Sequence, residues 1–249
     1  MSDSKIYPIK DNFAANAHIT EAQYKEMYQR SVTDPESFWG EQAKDLIDWY
    51  KPWDKVLEWD YTKGLIRWFE GGKLNVSYNC IDRHLETRAD QVAIIWEGDD
   101  PKDDKKITYK ELHQEVSKLS NVLKSRGVKK GDRVCIYMPM VPEAAFAMLA
   151  CTRIGAVHSV VFGGFSPESL GSRILDADCR LVITADEGIR GAKRIPLKAN
   201  TDEALKKCPQ VHTVIVVQAT GNEVAWQSER DLWYHEARAA VSANCHPEL

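Results

Sequence analysis

The sequence has no apolar run approaching the ~20 residues that a membrane span requires, and Met1 to Pro8 hold no apolar core of the kind that marks a secretory leader. Excess positive charge is also lacking. Lys and Arg number 33 against 37 Asp and Glu, a formal net charge of −4, which argues against a general nucleic-acid surface or an anionic membrane as partner. The six cysteines form no C-x-x-C pair. Most lie inside apolar runs, where a free Cys behaves as a small hydrophobe, so reduced thiols in the cytoplasm are expected. Neither G-x-x-x-x-G-K-[ST] nor G-x-G-x-x-G occurs, so the two commonest phosphate-binding fingerprints are missing. A nicotinamide-binding domain needs the second of these, and an acidic residue ending its second strand, which is also missing. His235-Glu236 opens like a zinc-protease motif, but Ala239 stands where the second His must be. Ser166 and Ser169 have no G-x-S-x-G context, so a triad hydrolase has no support.

What remains is a chain of 249 residues, 43% hydrophobic and 28% charged, ordinary for a soluble globular protein. Three apolar runs, Val134–Tyr137, Val157–Phe162 and Leu181–Thr184, begin about 24 residues apart. Rich in Val and Ile and uniformly apolar, they predict strands buried on both sides of a parallel sheet. Helix signals fill the intervals. Pro142-Glu143 opens one helix and Gly155 closes it, while Ser166-Pro167 opens the next. Such a helix supplies the crossover that a parallel strand demands. Val214–Val217 reads as a fourth buried strand, 198–207 as a helix, and 231–241 as a final helix.

Upstream, Thr20 to Gln23 and Thr108 to Glu111 are capping boxes, each starting a helix. Asp34-Pro35 starts another, running to Trp49, and 74–88 carries Ile81 and Leu85 at helical spacing. Five of the eight tryptophans fall within 39–69, at Trp39, Trp49, Trp53, Trp59 and Trp68. Such density suits a base- or sugar-stacking surface, or an irregular segment pinned by buried aromatic area, and the second is the reading adopted. The acidic loop 98–105 lacks the Gly turn and terminal Glu of a calcium loop and reads as a hairpin tip. Asp82-Arg83-His84 reads as a structural ion pair. The expected organisation is a helical, Trp-rich segment over 1–90 followed by an α/β unit over 91–249.

Ligands of open α/β sheets bind beyond the carboxyl ends of the strands. Two features occupy those ends. Phe162-Gly163-Gly164 follows the second strand, and its glycines suit either a tight turn or close approach of backbone to a ligand. Arg190-Gly191-Ala192-Lys193 follows the third. One turn of helix would bring Arg190 and Lys193 to one side, where small neighbours leave room for a phosphate. Alternatively they are a solvated basic surface paired with Asp186 or Glu187.

Taken together, FWGEQA (38–43), PWDKVLEWD (52–60), WFEGGKLNVSYNCIDRHL (68–85), the stretches 107–134 and 148–170, and DADCRLVITADEGIRGAKRIPLK (176–198) resemble the N-terminal part of AMP-forming acetyl-CoA synthetases, within the adenylate-forming enzymes. The form of 68–79 resembles acetate enzymes more than propionate ones. The resemblance implies the N-terminal subdomain of the adenylate-forming fold, an α/β parallel sheet with flanking helices, left incomplete, with a Trp-rich N-terminal wrap. It implies a ligase in which ATP and acetate form acetyl-AMP and pyrophosphate, and CoA thiol then attacks the mixed anhydride. The segment matching Arg190, Gly191, Ala192 and Lys193 holds the 3′-phosphate end of CoA, and Phe162, Gly163 and Gly164 lie by its adenine. Lys at 193, where the family has Arg or Lys, is a point charge rather than a planar fork.

In the family, the loop cradling the ATP phosphates, the acetate pocket, the magnesium ligand and the adenylation lysine lie beyond the position of His246-Pro247. The resemblance therefore implies no catalytic and no metal-binding residue here, CoA as the ligand of this part, and ATP and magnesium only in the full-length enzyme. Partners are the small-molecule substrates and the missing C-terminal part, with self-association through surface bared by truncation. Neither nucleic acid nor membrane is implied. A propionyl-CoA or other short-chain acyl-CoA synthetase, and a non-catalytic nucleotide-binding module, are the alternatives.

Overall fold

The computed structural model describes residues 7–191 and 193–248. The chain divides into two compact units, Met1–Lys73 and Leu74–Leu249. The first unit carries helices α1 (Asp11–Ala15), α2 (Glu21–Thr33) and α3 (Pro35–Leu46), then an antiparallel ribbon of β1 (Lys55–Asp60) and β2 (Leu65–Glu70). Thr20 and Gln23 form the capping box that starts α2, and the Asp34 side chain accepts the Ser37 N–H at the start of α3. The latter helix stops at Leu46, short of Trp49, because Ile47 is extended and the Trp49 indole donates to the Ala43 carbonyl left free by that ending (2.9 Å). The same indole meets Trp53 edge to face (4.9 Å between centroids) and both meet Phe69. Aromatic area thus holds an irregular segment together within this unit. Trp59 and Trp68 remain exposed.

The second unit opens with α4 (Val76–Cys80) and α5 (Leu85–Arg88), broken by a 3-10 turn at Asp82–His84 rather than forming one helix over 74–88. A hairpin of β3 (Val92–Glu97) and β4 (Asp104–Thr108) follows, then α6 (Tyr109–Ser125), whose buried Leu112, Val116, Leu119 and Leu123 form one stripe. The core alternates β5 (Arg133–Met138), α7 (Pro142–Arg153), β6 (Val157–Phe162), α8 (Pro167–Asp176) and β7 (Leu181–Ala185). A small hairpin of β8 (Gly188–Arg190) and β9 (Lys193–Ile195) intervenes before α9 (Leu197–Leu205), β10 (Thr213–Val217), β11 (Asp231–Trp233) and α10 (Tyr234–Ala239).

The main sheet is parallel, in the order β11-β10-β7-β5-β6. From β5 the chain steps one way to β6 and then back past β5 to β7 and β10. Right-handed crossovers in opposite directions place α7 on one face and α8 and α9 on the other. Helices α6 and α10 join α7. The strands β5, β7 and β10 are buried almost throughout, as their sequences predict.

Three expectations need correction. The run Val157–Phe162 is a strand but is not buried on both sides. It lies at the sheet edge, with Val157, Val160 and Phe162 all more than half exposed at 53, 55 and 53%. Arg190 and Lys193 do not share a helical turn but end β8 and begin β9. A two-residue reversal joins β8 to β9, and Gly191 takes the left-handed φ of 59° that this reversal needs. Finally, 231–233 is not helical but adds a short edge strand beside β10. Its first residue, Asp231, has a buried carboxylate that is paired with Lys198 and Arg230, and this anchors the segment in the sheet layer. Lys198 is itself fully buried and also binds Asp202, so two cations and two carboxylates close one neutral network.

Candidate functional site

Each feature expected at the ligand end lies at the carboxyl edge of the parallel sheet. After β6 the chain reverses at once, with the Phe165 N–H bonded to the Phe162 carbonyl (3.0 Å) before α8 starts. Packing leaves little room for a side chain at either glycine. A Cβ on Gly163 would come within 3.0 Å of the Met138 carbonyl oxygen, a backbone atom that cannot swing away. On Gly164 it would fall 2.6 Å from the Phe162 ring. The tight-turn reading is therefore correct, and it does not compete with ligand contact, because the turn leaves Phe162 exposed. Replacing Gly163 by Ala is expected to cost about 1–3 kcal/mol of stability, as overpacking against rigid backbone does. Urea denaturation of the variant measures this.

The hairpin after β7 supplies three cations. Cross-strand pairing sets Arg190 opposite Lys193, so the two lie together by a different geometry from the helical one expected. Arg194 turns to Glu187 (2.8 Å), which also accepts from Thr220 and Asn222. The buried Asp186 carboxylate accepts the backbone N–H groups of Glu187, Ala219, Thr220 and Gly221. Both acidic residues are thus occupied with the loop after β10, and among the described residues neither pairs with Arg190 or Lys193. Those two cations stand exposed. Ala192 lies outside the described residues.

The two loops meet. The Arg190 guanidinium lies over the Phe162 ring, 5.4 Å from its centroid, a cation–π distance. Phe162 meets Phe165 edge to face at 5.8 Å, and Arg173 lies over the Phe165 ring at 4.7 Å. An aromatic face flanked by unpaired positive charge can take a planar ring beside a phosphate.

Beneath this surface lies a residue that the sequence did not single out. Tyr137, fully buried at the end of β5, sends its hydroxyl to the Phe165 carbonyl (2.7 Å) and near that of Gly163 (3.3 Å). Asn200 of α9 donates to the same hydroxyl (3.2 Å). Burial raises the Tyr137 pKa above that of a free phenol, and the Asn200 hydrogen bond opposes this. The hydroxyl therefore stays protonated and able to donate.

A second concavity at the same sheet edge, about 700 Å³, is lined by Trp96, Pro139, Met140 and Ile189. Its other lining residues include Glu97, Asp99, Asp100, Asp103 and Glu187, so its charge repels a phosphate. Among the described residues no group of three His, Cys, Asp or Glu side chains could hold a metal ion, the loop 98–105 included. Nor is any described helix long and apolar enough to cross a membrane.

A doubly wound parallel sheet with these turns at its carboxyl edge places the chain among α/β proteins whose ligands bind at that edge, and the comparisons with known proteins refine this. Residues 81–248 match the model of the AMP-binding enzymes, and the chain belongs to that family. Within it, residues 24–80 match the acetyl-coenzyme A synthetase N-terminus. An acetyl-coenzyme A synthetase of Magnetococcus marinus is 66% identical over 248 residues, covering 100% of this chain and 38% of that relative. One from Halorhodospira halophila is 62% identical, with the same coverage. Among solved structures, an acetoacetyl-CoA synthetase from Streptomyces lividans superposes with a TM-score of 0.80 at 25% identity, over 95% of this chain and 36% of that one. The chain thus corresponds to the N-terminal part of these relatives and spans 38% of the length of the first two.

Proposed function

We propose that this chain is the CoA-side N-terminal portion of an AMP-forming acetyl-CoA synthetase, a ligase whose complete form joins acetate to CoA at the expense of ATP with magnesium. On this reading Arg190 and Lys193 bind the 3′-phosphate of CoA, and Gly191 and Ala192 leave room for it. Phe162 and Gly164 offer a face to the adenine, and buried Gly163 shapes the turn that presents it. The observation that carries the reading is Arg190 lying over Phe162, which joins a cation with no carboxylate partner among the described residues to an exposed ring at the ligand edge of the sheet. Five of the six free cysteines are buried, and unpaired thiols suit a reducing compartment such as the cytoplasm.

The test joins this chain to the C-terminal remainder of the Magnetococcus marinus relative and measures affinity for CoA and dephospho-CoA by calorimetry. A hydrogen bond to a charged group contributes about 1.5–3 kcal/mol. Arg190→Ala is therefore expected to weaken CoA by roughly one to two factors of ten. Lys193→Ala should cost less, because a hydrated ammonium loses less when released. Both losses should shrink as salt rises, since the two side chains are exposed. Equal weakening of CoA and dephospho-CoA by Arg190→Ala would overturn the phosphate assignment.

The chain by itself should also self-associate. One flank of β6 is unpaired among the described residues, and Val157, Val160 and Phe162 stand exposed along the strand. An open edge carrying apolar side chains is a template for pairing with a second copy. Light scattering across a concentration series should show growth in mass. A strictly monomeric chain at high concentration would count against it.

A further inference from the structure

We propose that Tyr137 and Asn200 are positioning residues for the CoA-binding surface, their hydrogen bond acting as a clasp that keeps Phe162 beneath Arg190. This rests on the preceding assignment of that surface. The elements that carry the ring and the cation are far apart in sequence. Phe162 ends β6, and Arg190 sits in the hairpin between β7 and α9. A polar connection joins them. The Tyr137 hydroxyl holds the β6 turn through the carbonyls of Gly163 and Phe165. The Asn200 amide holds the same hydroxyl from the first turns of α9, the helix that continues directly from the basic hairpin. Leu197, which begins that helix, sits against both loops. A Cβ on Gly163 would lie 3.5 Å from it, and one on Gly188 would lie 3.3 Å away. The first turns of α9 are therefore a common floor, and the clasp is its only polar tie to the β6 turn among the described residues.

A phenol has one proton. It goes to the Phe165 carbonyl, the nearer acceptor at 2.7 Å, while a lone pair receives the Asn200 N–H. Removing the hydroxyl leaves the Phe165 carbonyl without its donor and the Asn200 amide without its acceptor at a part-buried junction. The turn can then shift independently of α9, and the ring under Arg190 shifts with it.

The test uses Tyr137→Phe and Asn200→Ala in the joined polypeptide described above, with Arg190→Ala as reference. Each clasp variant is expected to raise the dissociation constant for CoA by about three- to tenfold, the range of one net hydrogen bond. The loss should exceed any loss in acetate-dependent pyrophosphate exchange, a reaction that uses no CoA. In a double variant with Arg190→Ala the clasp mutation should add less than it does alone, because the residues act on one contact. Unchanged CoA affinity in the clasp variants, with Arg190→Ala still harmful, overturns the clasp and leaves the site assignment standing. If Arg190→Ala is harmless as well, the site assignment fails and the clasp fails with it. Equal loss of CoA affinity and of exchange means a general structural role and also overturns the proposal. Should Tyr137→Phe fail to fold, Asn200→Ala, at a half-buried helix position, decides alone.

Discussion

The 249-residue chain by itself is expected to give no acetate-dependent exchange of labelled pyrophosphate into ATP. Adenylation places the triphosphate against donors and a metal that stabilise charge as it develops, and positioning supplies most of the rate. The chain carries neither of the common phosphate-cradling fingerprints. The concavity of about 700 Å³ at its ligand edge is lined by five acidic residues, Glu97, Asp99, Asp100, Asp103 and Glu187, whose charge disfavours a triphosphate there. Among the described residues Arg190 and Lys193 stand at this edge without a carboxylate partner, and on the proposed reading they bind CoA. Exchange by the purified chain above a buffer blank would sink this expectation. The same chain joined to the remainder of the Magnetococcus marinus relative is the positive control, and there exchange should appear.

How far the sequence reveals the site depends on how local its causes are. Strands β5, β7 and β10 were legible because uniform burial demands uniformly apolar residues. The same signal misplaced β6. Its Val-rich run looks like an interior strand, but nothing within six residues records whether a further strand lies alongside. Spacing alone brought Arg190 and Lys193 together on a helical premise. The hairpin reaches the same end, because residues i and i+3 across a two-residue reversal are cross-strand partners. Gly191 was the local sign of the difference, a residue free to take a left-handed φ at the point of reversal. The Tyr137 contacts were not legible at all. They join positions 26, 28 and 63 residues apart, and in sequence a buried Tyr in an apolar strand reads as core. The same holds for Asp231, whose buried partner Lys198 lies far back in the chain on α9.

Replacing Arg153 by Met is expected to destabilise the protein by about 3–5 kcal/mol, the range for breaking a buried pair from one side. Arg153 ends α7 and is only 1% exposed. Its guanidinium grips Asp82 with both terminal nitrogens, at 2.7 and 2.8 Å, and its Nε donates to the Cys245 carbonyl at 2.6 Å. Asn75 binds the carbonyls of Thr152, Arg153 and Glu248 from the other side. One side chain thus ties α7 to the 3-10 turn at Asp82 and to the segment 245–248. With Met in its place, the Asp82 carboxylate stays largely buried, with His113 its remaining ion-pair partner among the described residues.

The effect should depend on pH. Burial pushes the Asp82 pKa up, but hydrogen bonds and charge from Arg153 and His113 overcome this and hold it at about 2, against an ordinary 3.8. Because the folded-state value is the lower one, the stabilisation is fully present above about pH 4 and is lost as pH falls toward 2. Its size is about 2 kcal/mol. In Arg153→Met burial dominates instead, so protonating Asp82 relieves the variant. The stability gap between the two proteins, measured by urea denaturation, should therefore be widest near neutrality and narrow as pH drops below 4. The double variant Asp82→Asn, Arg153→Met removes both charges and should recover much of the loss. A loss below about 1 kcal/mol in the single variant would place this contact among exposed pairs, which contribute no more than that.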